Sequence, residues 1–217
     1  MAIGLAHPGR MVEMGKERVD EMIVDRVNVP VADSPRLAGD LAVWLIIVAE
    51  LLAFGILFLS YAFARTFDLA LFNASQRTLD LNSGAINTAL LITGSWCVVR
   101  AVQAVKQDAS KAGARWLLAA LVCGGGFVAI KLMEFSAKAQ AGIDLSTNTF
   151  YMFYILLTGF HFFHVLAAMI FLTILLVKTR AGRYGSHDAH ALETGAAFWH
   201  MVDLLWIVLF PLIYVMR

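Results

Sequence analysis

Five runs of predominantly apolar residues, at about 40–64, 84–105, 114–136, 150–177 and 195–216, divide this 217-residue chain. A helix rising 1.5 Å per residue needs roughly 20 such residues to cross the ~30 Å hydrocarbon core of a bilayer. Inside lipid only a helix or a closed barrel satisfies its own backbone hydrogen bonds. The pattern therefore predicts an all-α membrane protein. Residues 39–217 are expected to form a bundle of five transmembrane helices. Residues 1–38 are expected to be a cytoplasmic tail or a short helix lying on the membrane surface. Composition agrees: 60% of the residues are hydrophobic and 15% charged, against about 45–50% apolar in soluble domains. The polar stretches between the runs are too short for a soluble domain, and no internal repeat supports an inverted-repeat transporter.

Orientation follows from the basic residues, because Lys- and Arg-rich connections stay in the cytoplasm. Eleven lie in the N-terminal segment and in the connections after the second and fourth runs, and four on the other side (Arg65, Arg77, Lys138 and Arg217). The expected topology is N-in, C-out. The first 38 residues lack the apolar core of a signal peptide and are expected to stay on the protein. Net charge is +1, with no basic patch to track a phosphate backbone, so nucleic acid is not an expected partner. Cys97 and Cys123 lie in apolar stretches as small hydrophobes. No CxxC, CxxCH or paired Cys/His spacing indicates zinc, c-type haem or an iron–sulfur cluster.

Eight ionisable side chains fall inside the runs: Glu50, Arg100, Lys131, Glu134, His161, His164, His200 and Asp203. Each costs about 2.5 kcal/mol or more near the bilayer centre if charged and unpaired, so each is expected to face the bundle interior and find a partner. Glu50 sits near mid-membrane, either as a neutral acid hydrogen-bonded to a neighbouring helix or as a proton-handling group. Its expected partner is His161 or His164. Lys131 and Glu134 are three apart, a spacing that favours a local ion pair over a substrate site; Lys131 can also snorkel toward the headgroups. Arg100 is expected to snorkel or to hold a lipid phosphate. His161 with His164, and His200 with Asp203, repeat the three-residue spacing. It fits interhelical His–Asp or His–Glu hydrogen bonds better than zinc or bis-histidine haem, so no metal site is assigned. Trp199 and Trp206 flank the last pair, in core packing or an interfacial belt.

Read together, five segments in order resemble subunit III of the haem–copper respiratory oxidases. Trp44-Leu45-Ile46 through Glu50 to Phe58 looks like the family's helix bearing a membrane-embedded glutamate that reacts with a hydrophobic carbodiimide. Ile86-Asn87-Thr88-Ala89-Leu90-Leu91 is similar to the opening of the next helix. Lys131-Leu132-Met133-Glu134-Phe135 corresponds to the segment ending in a glutamate and an aromatic residue. Thr158-Gly159-Phe160-His161 with His164-Val165 fits the Thr-Gly-Phe-His motif, and Trp199-His200-Met201-Val202-Asp203 with Trp206 the C-terminal Trp-His signature. The chain lacks the first two helices of the seven-helix form, as do short bacterial members. Phe162 and Phe163 replace a smaller pair, and Arg100 stands where oxidase members have a polar helix end. These departures lean toward the NorE-like branch associated with nitric oxide reductase.

The resemblance implies a subunit without an active site, haem or copper of its own. Such a subunit packs beside the haem-containing catalytic subunit of a respiratory oxidase or nitric oxide reductase in the bacterial inner membrane. It stabilises that subunit, holds phospholipid between its helices and supports proton uptake during electron transport. Three histidines in the spans are too few for a haem–copper centre. Two other classes compete: a small membrane b-type cytochrome using His161 or His164 with His200 as axial ligands, and a proton-coupled transporter using Glu50 and Asp203.

Overall fold

The structure, a computed structural model, describes residues 41–184 and 190–216. The expected tail or surface helix at 1–38 lies outside these residues, as does His187. The described chain is helical throughout: α1 (Leu41–Phe67), α2 (Leu69–Gln76), α3 (Leu81–Lys106), α4 (Ser110–Gln140), α5 (Thr149–Arg180) and α6 (His190–Phe210), the last continued by a π-helical turn at Pro211–Val215. Five helices, α6 with its π turn counted as one, are long and apolar enough to cross a membrane.

Most helices outrun the apolar stretches that announced them, because polar residues cap them beyond the hydrocarbon. Asp80 caps α3, accepting from the Asn82 N–H at 3.0 Å and the Ser83 hydroxyl at 2.5 Å. Those bonds hold the Asp80 carboxyl below its usual range, the Ser83 hydroxyl acting most strongly. Asn148 caps α5 through the Tyr151 N–H at 2.9 Å. At the far ends, Gly142 (φ +71°) and Gly182 (φ +66°) take the left-handed conformation that lets the chain leave α4 and α5. α6 begins at His190 rather than near residue 195, so His190 and Glu193 are helical and not part of a loop. Glu193 pairs with Lys106 at 2.5 Å.

The short helix α2 is absent from the sequence reading, which has only a polar connection there. Asp68 caps it through the Leu71 N–H at 3.0 Å. Its last residue, the buried Gln76, donates to the Ile213 carbonyl at 3.0 Å and the Tyr61 hydroxyl at 3.3 Å. This amide ties the connection to both α1 and the C-terminal turn.

Packing is close where glycines admit large side chains. A Cβ on Gly94 would stand 3.1 Å from the Trp199 ring, and one on Gly124 3.0 Å from the same indole. Trp199 and Trp206 are thus core residues and not an interfacial belt. By contrast α1 buries only Ile47, Phe54 and Tyr61. These recur every seven residues, a single narrow seam.

Candidate functional site

Glu50 lies three residues beyond Ile47 on the α1 seam, and Phe54 one turn further on. Phe54 is fully buried against α5, 5.0 Å from the Phe160 ring and 5.4 Å from that of His164. This packing brings Glu50 Oε2 to 3.0 Å from His164 Nε2. His164 Nδ1 lies 2.8 Å from the Phe160 carbonyl, which can only accept, so Nδ1 carries a hydrogen. Nε2 and the carboxylate then share one proton between them, as a neutral pair or as imidazolium with carboxylate.

The pair faces a cavity of about 660 Å³ between α1, α5 and α6. Its walls are mainly apolar, and its end at the α5–α6 connection carries Lys178, Tyr184 and His190. Fourteen residues of α5 separate His164 from Lys178, a depth of about 21 Å at 1.5 Å per residue. The arrangement is a deep groove with the Glu50–His164 pair at its inner end and Lys178 at its mouth.

His161, the other candidate partner of Glu50, points elsewhere. Its ring is fully buried, 5.2 Å from the Trp206 ring and 5.7 Å from that of Phe127. Among the described residues neither of its ring nitrogens has a hydrogen-bond partner.

Lys131 and Glu134 form the expected pair, Nζ to Oε2 at 3.0 Å. Lys131 does not snorkel: it is wholly buried. Its ammonium donates to the Tyr214 hydroxyl at 2.8 Å and lies 5.2–5.4 Å from the ring centroids of Phe135, Tyr154, Trp206 and Tyr214. Both tyrosine hydroxyls donate to Glu134 Oε1 at 2.7 Å. The inward side thus supplies a carboxylate, a hydroxyl and four π faces, and the chain end is out of reach: nine residues of α4 remain beyond Lys131, about 14 Å. Tyr154 and Tyr214 are the residues that reading the sequence missed. The available signal was the need itself, since a buried ion pair requires further hydrogen bonds.

The His200–Asp203 spacing does not produce a His–carboxylate bond. His200 Nδ1 meets the Ser95 hydroxyl of α3 at 2.5 Å, a serine standing on the neighbouring helix where an acid was expected. Asp203 is buried, and its Oδ1 has no partner among the described residues. Trp206 Nε1 donates to the Thr88 hydroxyl at 2.9 Å, joining α6 to α3. Arg100 lies on the outer face of α3, 5.7 Å from the centroid of the Trp116 ring. Among the described residues no group of three or more His, Cys, Asp or Glu side chains could hold a metal.

Comparison with known proteins gives a consistent picture. The cytochrome c oxidase subunit III family pattern matches residues 36–217. The chain is 31% identical to the heme-copper oxidase subunit I+III of Aeropyrum pernix, over 80% of its own length and 22% of that protein. It thus spans about a fifth of that relative. It is 29% identical to the probable cytochrome c oxidase subunit 3 of Nocardia farcinica, covering 81% of this chain and 85% of the relative. With the quinol oxidase subunit 3 of Bacillus subtilis it shares 26% identity over 81% and 86% of the two chains.

Proposed function

The chain belongs to the cytochrome c oxidase subunit III family, and from that premise we propose that it is a non-catalytic subunit packed beside the haem-containing catalytic subunit of a respiratory complex. The relative from Aeropyrum pernix, whose name joins subunits I and III in one protein, supports the two being neighbours. The charge bias supports an N-in arrangement, and the bacterial inner membrane is the proposed location.

Within that role the Glu50–His164 pair at the floor of the cavity carries the reading. An apolar groove with Lys178 at its mouth suits a phospholipid, acyl chain inward and phosphate at the cation. The pair beneath it can accept and return one proton without moving a charge far through lipid, which suits support of proton uptake during turnover. Haem and metal play no part in this chain's contribution.

The test is copurification followed by turnover. Mild detergent extraction should recover the chain with a larger haem-containing subunit, whose identity distinguishes an oxidase from a nitric oxide reductase. Glu50→Gln keeps size and hydrogen bonding, so assembly should survive while turnover falls or declines during catalysis. If the complex assembles and turns over normally at every pH, the pair is structural and the proton role is lost. If the chain migrates alone under conditions that preserve other respiratory complexes, the accessory role fails.

A further inference from the structure

A second polar feature lies on the outside of the bundle, at the end of the α3–α4 hairpin, and shares no lining residue with the cavity beside Glu50. Arg100 stands six residues before the end of α3, about 9 Å inside it by the helical rise. Its guanidinium covers the Trp116 ring at 5.7 Å, and Trp96 meets that ring edge-on at 5.1 Å. Its hydrogen bond to Gln103 is a long one, 3.5 Å from Nη1 to Oε1. Among the described residues no carboxylate forms an ion pair with it, whereas Lys106 is taken by Glu193. Lys111 and Arg115 are exposed on the first turns of α4, and Asp108 is the one acid in this end of the hairpin.

Toward the bilayer centre the same face turns aliphatic. Trp96 is 54% exposed, and one turn deeper on the same face of α3 Ile92 is 49% exposed. Cation, indole and aliphatic side chain therefore succeed one another along α3 in the order of a lipid's phosphate, glycerol and acyl chain. A partner helix presenting a carboxylate would answer the guanidinium alone. Indoles favour the headgroup level, basic clusters at a span's end attract anionic lipid, and a guanidinium can hold phosphate through two parallel hydrogen bonds. We infer that Arg100, Trp96 and Trp116 form a binding site for the phosphate of an anionic phospholipid, with Lys111 and Arg115 at its rim.

The full chain carrying Trp44→Phe, reconstituted in phosphatidylcholine vesicles, tests this by fluorescence. Trp199 and Trp206 are buried, so the exposed Trp96 and the half-buried Trp116 are then the indoles within reach of lipid. Brominated phosphatidylglycerol should quench them about fivefold more efficiently than the same fraction of brominated phosphatidylcholine, the factor roughly one favourable charge contact supplies. Arg100→Gln should abolish the preference, and Arg100→Lys should keep part of it. Equal quenching by the two lipids overturns the site, and that comparison stands even if the Gln variant does not fold. Loss of the preference on adding inorganic phosphate would make it a free-anion site and also overturn the proposal. So would a Gln variant that keeps its lipid preference but no longer copurifies with a partner subunit, since Arg100 would then be a helix-docking residue.

Discussion

Two ion-pairing motifs sit inside the spans, and their surroundings give them different uses. Glu50 and His164 open onto a cavity, with side chains 27% and 12% exposed, while Lys131 and Glu134 are sealed at 0% and 9%. Only the first is open to a neighbouring medium. The second is a tie between α4, α5 and the C-terminal turn. Lys131→Met should therefore lower stability by about 3–5 kcal/mol, because it leaves Glu134 buried with hydroxyl donors alone. The unfolding midpoint in denaturant would report it. Lys131→Met with Glu134→Leu should recover part of that loss, since no buried charge remains; a double variant as unstable as the single would show that the charges do not act as a pair. The spacing of Lys131 and Glu134 was legible in the sequence, because both partners lie on one helix. The choice of His164 over His161 for Glu50 was not, since three residues along α5 turn a side chain by about 60° from alignment, and the rotation of α5 against α1 is set by packing elsewhere. Tyr154 and Tyr214 escaped for the same reason: periodicity fixes a helix's own faces but not what stands opposite them.

At the scale of elements, the spans were legible because hydrophobic length is written directly in the chain, and their ends were less so because caps extend beyond the apolar residues. The eight residues of α2 carry too little periodic signal, and the last of them, Gln76, is anchored to a turn more than a hundred residues away. Glycine placement within α4 separates packing from propensity. A Cβ on Gly113 would lie 2.6 Å from the Val105 side chain and 3.3 Å from the Ala101 carbonyl, whereas one on Gly125 would meet nothing within 4 Å. Val105 is β-branched and cannot swing aside easily. Gly113→Ala should thus cost about 1–3 kcal/mol by forcing α3 and α4 apart. Gly125→Ala should be neutral or stabilising by up to about 1 kcal/mol. Thermal unfolding of the two variants in one detergent would check the contrast, and equal losses would remove the close-packing account of the hairpin.

For the whole molecule, the proposed N-in arrangement puts the α3–α4 turn and the α4–α5 connection on opposite sides of the membrane. Both contain exposed alanines, Ala109 and Ala141. A cysteine at Ala141 should react with an impermeant thiol reagent added outside intact cells, and one at Ala109 only after the membrane is opened; the reverse pattern would invert the topology. The narrow seam of α1 bears on the same molecule in its bilayer. α1 has 27 residues, so it is about 40 Å long against a hydrocarbon thickness of roughly 30 Å, and a helix too long for its membrane accommodates by tilting. A helix held along a single line of side chains leans about that line more readily than one wedged on several faces. Glu50 is carried by α1 and His164 by α5, so a lean of α1 would change both the width of the groove and the Glu50–His164 separation. A change of membrane thickness is thus expected to change the distance between Glu50 and His164 without any ligand.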